Sequence, residues 1–199
     1  MKRSAVKSSA ITLCAVAAFQ AGLIAFLPRF FLHPLTPPLA RTTWLGWSLA
    51  LLVAVLYVTC SVRGLPTVGK YLWTLSAFKL VGLFIALPAA IVEEVFFRQY
   101  VMNALASSTL IVQVVASALS FGLAHAIWGL RGGWRAATGA VASTTLMGAG
   151  LAVVYVASDR VVLPCVAGHF LITLTLEPWL LYAYVERAIG SKIAARVRT

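Results

Sequence analysis

The sequence predicts an all-α, polytopic membrane protein with about six transmembrane helices that form one helical core. Of its 199 residues, 61% are hydrophobic, and the mean hydropathy is +0.94. Only 11% of the residues are charged, whereas soluble domains carry about 25%. Apolar runs of about 20 residues, the length that crosses a bilayer, recur along the chain. A water-soluble fold of this size would lack polar surface, so we expect lipid to solvate its exterior.

Each apolar run is bounded by proline, glycine or charged residues. The first run continues too far for the roughly 7–15 residue core of a cleaved signal peptide, so we interpret it as a transmembrane helix that Pro28 closes. The last run should bend at Glu177-Pro178. The fourth and fifth runs are rich in small residues, which allow close helix contact in lipid. The predicted spans are 10–32, 43–61, 71–92, 110–128, 136–157 and 161–184.

The organisation predicted from these runs is a single transmembrane domain over 1–199. Two N-terminal helices occupy 1–70, the core helices that carry the polar motifs occupy 71–186, and a basic tail occupies 187–199. With six helices, eleven lysines and arginines fall on one side and four on the other. The positive-inside rule then places both termini in the cytoplasm.

The net charge of +11 does not indicate a nucleic-acid-binding protein. Its lysines and arginines lie at the chain ends and between apolar runs, whereas a nucleic-acid interface gathers them on one face. The three cysteines, Cys14, Cys60 and Cys165, are widely separated, which argues against a disulfide framework or a zinc knuckle and is typical of small packing residues.

Two adjacent carboxylates, Glu93 and Glu94, fall at or near membrane depth. A buried charge there persists only when it is paired or faces a wet cavity. Arg98 lies four residues after Glu94, on the same helical face, so we predict an ion pair between them. Glu93 points about 100° away and is left to face a cavity. The alternative is that both glutamates mark a helix end at the interface, with Arg98 extending to water.

Two histidines also lie inside apolar runs, His125 in the fourth and His169 in the sixth, whereas His33 belongs to a proline-rich turn. A lone intramembrane histidine is usually a packed residue, but two of them with a carboxylate pair predict a hydrolytic site. A carboxylate can accept a proton from water, and a histidine can orient that water. His169 and Thr173 are four residues apart and can both donate to one oxyanion.

Three motifs together resemble those of the CPBP (Abi) intramembrane proteases, a family that includes CAAX endopeptidases. They are Glu93-Glu94-x-x-x-Arg98, Phe121-x-x-x-His125 and His169-x-x-x-Thr173. The resemblance covers about 80–184 and implies a helical membrane core with glutamate-dependent peptidase activity and neither a metal nor another cofactor.

The resemblance also implies a role for each matching residue. Glu93 would be the general base, assisted by His125, and Glu94 would be the structural partner of Arg98. His169 and the residue four positions later would form the oxyanion site. The family usually has asparagine there, whereas this chain has Thr173, whose hydroxyl can still donate one hydrogen bond.

The implied substrate is a protein with a membrane-associated C-terminal segment, and the other implied partner is membrane lipid. In its compact size the chain is similar to a bacterial branch that processes C-terminal sorting signals, so we predict a multi-pass protein of the bacterial inner membrane. The predicted topology places Glu93 toward the non-cytoplasmic end of its helix, which suits processing at the outer leaflet.

Three alternatives remain open at this point. Glu93, His125 and His169 could bind Zn²⁺ as a His₂Glu set, although no HExxH motif occurs. A non-enzymatic scaffold or immunity-type protein would use the same fold without chemistry. A proton-coupled transporter is less consistent, because we find no internal repeat. Glu177, before Pro178, either caps or bends a helix or contacts a basic tail of the substrate.

Overall fold

The computed structural model describes residues 3–37, 41–130 and 133–186, and these contain helices and no strand. A 3₁₀ turn over His33–Leu35 follows the second helix. The α-helices are α1 (Arg3–Phe26), α2 (Pro28–Leu32), α3 (Trp44–Gly64), α4 (Pro66–Tyr71), α5 (Ala77–Glu94), α6 (Leu110–Ala124), α7 (Ala126–Leu130), α8 (Trp134–Ala157), α9 (Leu163–Leu176) and α10 (Trp179–Glu186).

The predicted all-helical, polytopic membrane fold is confirmed. In the described part of the chain, four helices are long and apolar enough to span a bilayer: α1, α3, α5 with its continuation to Met102, and α8. A fifth span forms if α9 and α10, which meet at a 50° bend, cross together. The fourth predicted span is shorter than expected, because α6 has 15 residues and ends before His125. Arg131 and the predicted basic tail, 187–199, lie outside the described residues.

Side-chain caps explain where several helices begin. The hydroxyl of Thr43 accepts a hydrogen bond from the Gly46 amide at the start of α3, and Ser76 accepts one from Lys79 at the start of α5. Such caps satisfy amides that have no partner inside the helix. The Ser76 cap also explains a difference from the predicted third run, which starts at 71: the spanning helix begins six residues later.

The glutamate pair lies inside this third spanning helix and not at its end. α5 continues beyond Glu94 as a π-helical segment, Val95–Met102. π-helical turns inside α-helices occur frequently at functional sites. Arg98, one of the four positive charges on the less basic side of the predicted topology, therefore lies within the span and is fully buried.

Three contacts define one end of the bundle, which we call the Arg160 end. Phe30, in α2, packs against Tyr100 with ring centroids 6.0 Å apart, so α1 and α5 run in parallel. Arg160, in the turn after α8, donates to Asn103 at 3.0 Å. Thr43, before α3, donates to the carbonyl of Ala157. The other end, where α3 finishes and α8 begins, is the opposite end.

Small residues bring α6 and α8 together, as the sequence predicts. A Cβ atom on Gly122 would overlap the Thr145 hydroxyl and lie 2.9 Å from the Val141 carbonyl. A Cβ atom on Gly148 would lie 3.2 Å from the Cα of Ala118. Close backbone approach of this kind stabilises helix pairs in lipid, where no hydrophobic effect drives helices together.

Hydrogen bonds from α5 stabilise the break between α9 and α10. The ammonium group of Lys79 donates to the carbonyls of Leu174, Thr175 and Glu177 at 2.6–2.7 Å. These contacts give partners to carbonyls at the end of a helix and explain a lysine within an apolar run. Gly82, one turn later, leaves room for the Glu177 backbone, which a Cβ atom there would overlap.

Candidate active site

Glu94 lies at the buried side of α5 and forms an ion pair with Arg98. The Arg98 Nε atom lies 2.8 Å from Glu94 Oε2, and both side chains are 0% exposed. Arg98 also donates to the Ser117 hydroxyl on α6 at 2.6 Å, and that hydroxyl donates to the Phe97 carbonyl at 2.9 Å. The guanidinium therefore has hydrogen-bond acceptors on two helices, as a buried charge requires.

His169 joins the two glutamates. Its Nδ1 atom lies 2.8 Å from Glu94 Oε1, and its Nε2 atom lies 3.8 Å from Glu93 Oε2. The sequence predicts a pair between Glu94 and Arg98, whereas the structure contains a buried triad in which His169 also binds Glu94. Because an ionised carboxylate only accepts hydrogen bonds, Nδ1 carries the proton of this bond.

His125 approaches Glu93 from the end of α6. Its Nε2 atom lies 3.5 Å from Glu93 Oε2, and its Nδ1 atom lies 2.8 Å from the carbonyl oxygen of Phe121. A carbonyl oxygen is an acceptor, so Nδ1 is the protonated nitrogen of the neutral ring. The lone pair on Nε2 then points toward Glu93.

The ring of Phe121 forms the floor beneath these groups. Its centroid lies 4.5 Å from that of His125 and 5.7 Å from that of His169. The guanidinium carbon of Arg98 lies 5.0 Å from the same centroid, and Phe121 is fully buried. Aromatic packing of this kind fixes the planes of both imidazoles, so their nitrogen atoms keep their directions.

A cavity of about 710 Å³ contains the exposed edge of the site. Glu93, His125 and His169 lie on its wall, and Thr173 and Glu177 follow at successive turns of α9. Thr173 is thus one turn from His169 and half-buried. Glu177 is the residue at which α9 ends, and its carboxylate accepts from the Leu181 amide at 3.4 Å. It therefore caps the break, and it also faces the cavity.

The cavity extends away from the Arg160 end. Its lining includes Gly64, where α3 finishes, and Arg135, near the start of α8, both at the opposite end. Glu93 itself lies nearer the Arg160 end, because nine residues, or about 14 Å of helix, separate it from Met102. The polar atoms of the site thus lie deep in the bundle, at the inner part of a cavity that reaches the opposite end.

Gln20 is a neighbour of the site that the sequence interpretation missed. The residue lies on α1, is 6% exposed, and donates from Nε2 to Glu93 Oε1 at 3.1 Å. Its signal was present in the sequence, since an amide within an apolar span suggests a polar function. Ser117, the acceptor for Arg98, was missed because a serine inside a helix rarely stands out from packing residues.

The donor set does not form a recognised metal site. Across the ranges that the structure describes, no group of three or more His, Cys, Asp or Glu side chains is arranged to hold an ion. The Nδ1 atom of His169 is directed to Glu94 and that of His125 to a carbonyl, so the Nε2 atoms are the ring nitrogens that face Glu93.

Comparison with known proteins gives one match. Residues 73–175 match the protein family described as type II CAAX prenyl endopeptidase Rce1-like. This range covers more than half of the chain and includes every residue of the three motifs, whereas α1, with Gln20, lies before it. No curated protein and no solved structure matches the chain.

Proposed function

Because the chain belongs to the type II CAAX prenyl endopeptidase Rce1-like family, we propose that it is an intramembrane endopeptidase in which Glu93 activates water. One observation carries this proposal. Glu93 Oε2 lies 3.5 Å from His125 Nε2 and 3.8 Å from His169 Nε2, at the wall of a cavity large enough for a peptide. A general base must lie within hydrogen-bond reach of the proton it accepts, and Glu93 Oε2 is a buried oxygen that receives no hydrogen bond from the described residues.

The chemistry begins with a water molecule beside Glu93 Oε2. Glu93 accepts one proton of that water, while His125 Nε2 accepts a hydrogen bond from the other and orients the oxygen. The hydroxide attacks the carbonyl carbon of the substrate and forms a tetrahedral oxyanion. When the C–N bond breaks, the amine takes the proton back from Glu93, so the carboxylate is regenerated.

His169 and Thr173 are the proposed donors to the oxyanion. Both lie on the same wall of the cavity, one helical turn apart. Thr173 donates through its hydroxyl group. His169 donates through Nε2, which requires the imidazolium form, because the Nδ1 proton is already directed to Glu94. Glu94 and Arg98 are positioning residues that hold His169 in place.

The proposed substrate reaches this site from the cytoplasm. The cavity extends to the opposite end of the bundle, where α3 finishes and α8 begins. The positive-inside rule favours a cytoplasmic location for that end, and the membrane in this proposal is the bacterial inner membrane. A C-terminal segment presented from the cytoplasm fits this geometry, and the cavity gives no support to processing at the outer leaflet.

The decisive experiment compares the wild-type protein with Glu93→Gln in membranes and maps protein C-termini by proteomics. We expect wild-type-dependent C-termini to disappear in Glu93→Gln while the variant remains folded and membrane-inserted. Glu186→Gln is the matched control, since Glu186 bonds to Tyr182 and lies off the cavity wall. C-termini that persist in Glu93→Gln would exclude this mechanism, whereas the absence of any C-terminus that depends on the wild-type protein would favour a scaffold function.

A further inference from the structure

The first helix, which lies outside the matched family range, contributes a polar group to the site. Gln20 is a buried side chain in α1, and its amide faces α5 at the level of Glu93. Leu13 and Val16, on the same face of α1, line the cavity, so this face of the helix is part of its wall. A buried amide is costly in an apolar span unless it is hydrogen-bonded.

We propose that Gln20 is a positioning residue that determines which oxygen of Glu93 acts as the base. Its N–H group occupies Glu93 Oε1 at 3.1 Å. The second oxygen, Oε2, is the one that lies beside the two imidazoles. With Oε1 held, the carboxylate cannot rotate to exchange its oxygens, so Oε2 stays directed toward the nucleophilic water.

The neutral charge of this partner matters for the chemistry. Glu94 is bound by the guanidinium of Arg98, which holds a carboxylate in its ionised form. A general base must instead accept a proton and return it in each cycle. An amide donor orients the Glu93 carboxylate without a permanent counter-charge. The two adjacent glutamates thus have opposite functions because their partners differ.

The orientation of the Gln20 amide is consistent with this function. An ionised carboxylate accepts hydrogen bonds only, so the amide must present Nε2 and not its oxygen. Among the residues that the structure describes, the charged and titratable groups around Glu93 are His125 from α6, His169 from α9, and the adjacent Glu94–Arg98 pair. Gln20 adds a side chain that does not titrate, and it comes from α1, the fourth helix that meets at Glu93.

The test is steady-state cleavage of a peptide that the wild-type protein cleaves, measured over a range of pH in detergent. This inference rests on the proposed function, so Glu93→Gln is measured in parallel. For Gln20→Leu, we expect kcat to fall by about 10- to 100-fold, as for loss of one donor to a charged acceptor, with KM within about twofold. The pH profile of Gln20→Leu is compared with that of the wild-type protein.

The matched control is Ser9→Ala on the same helix. Ser9 is fully buried, lies eleven residues or about 16 Å from Gln20 along the axis, and its hydroxyl makes no hydrogen bond with the described residues. For Ser9→Ala, we expect the kcat and the pH profile of the wild-type protein. Gln20→Met, which keeps an unbranched shape, repeats the test if Gln20→Leu does not fold.

The inference about Gln20 fails if both Gln20 variants are folded and keep the wild-type kcat and pH profile, or if only KM changes. An equal loss of kcat in Ser9→Ala would also overturn it, since any change in the packing of α1 would then produce the effect. If Glu93→Gln itself remains active, the proposed mechanism fails with it; if Glu93 is required and Gln20 is not, only this inference fails.

Discussion

His169 binds through Nδ1 to Glu94, the glutamate that does not face the cavity. The contact is 2.8 Å long and both side chains are buried. This contact sets the orientation of the His169 ring: Nδ1 donates its proton to Glu94, and Nε2 is the ring nitrogen that faces Glu93. Glu94, which does not face the cavity, thereby sets the orientation of the His169 imidazole toward Glu93.

Arg98→Ala should destabilise the protein strongly. It leaves Glu94 buried and with His169 as its remaining partner, and removing one member of a buried ion pair costs about 3–5 kcal/mol. Thermal unfolding in detergent measures the loss. Arg29→Ala, an exposed arginine near the end of α1, should leave the midpoint unchanged.

A double variant separates the charge effect from a packing effect. Glu94→Gln with Arg98→Met removes both charges and should recover part of the stability lost in Arg98→Ala. Wild-type stability in Arg98→Ala would mean that the ion pair is not a structural element of this fold.

Thr173→Val should lower kcat by about 100-fold, the cost of removing one oxyanion donor. Thr173→Asn should retain cleavage, because an amide can also donate from this position. Cleavage assays of both purified variants measure the difference. Thr175→Val is the control, since the Thr175 hydroxyl bonds to the Leu171 carbonyl on the same helix. Equal rates for the valine variant and the wild type would remove Thr173 from the mechanism.

Strong chelators should leave the rate of cleavage unchanged. The mechanism proposed for Glu93 and His125 requires a carboxylate, an imidazole and water, whereas a zinc enzyme with a His₂Glu set would lose its metal and its activity. The measurement is cleavage by purified protein after treatment with 1,10-phenanthroline, with and without added Zn²⁺. Inactivation that Zn²⁺ reverses would favour the metal-dependent alternative.

Gly82→Ala should destabilise the fold by about 1–3 kcal/mol, the usual cost of overpacking. The new Cβ atom would overlap the backbone of Glu177, which cannot move aside like a flexible side chain. Gly22→Ala on α1 is the control, because no heavy atom lies within 4 Å of its Cβ position. Unfolding midpoints that agree for the two variants would contradict this packing.

Much of the architecture follows from local sequence signals. The apolar runs predict the spanning helices, and the spacing of Glu94 and Arg98 predicts their contact, because neighbours on one helix depend only on helical geometry. The bend after Leu176 follows from the proline at 178. Each of these features is determined by residues that lie close together in the sequence.

Contacts between distant helices could not be predicted in the same way. Gln20 bonds to Glu93, and His169 bonds to Glu94, across 73 and 75 positions. Such contacts depend on which faces of two helices meet and at what height, which a hydropathy pattern does not specify. The sequence also did not predict that α6 ends at Ala124, because the apolar run continues past His125. In the structure, the His125 ring turns back to the Phe121 carbonyl.

The length of α6 has a consequence for the surrounding lipid. A helix of 15 residues is about 22 Å long, whereas the hydrocarbon core of a bilayer is about 30 Å thick. The difference must be met by local thinning of the membrane, by water, or by α7, which follows at the helix end that carries His125. Lipids with longer acyl chains increase this mismatch, so the rate of hydrolysis by the proposed site should depend on the acyl-chain length of the surrounding bilayer.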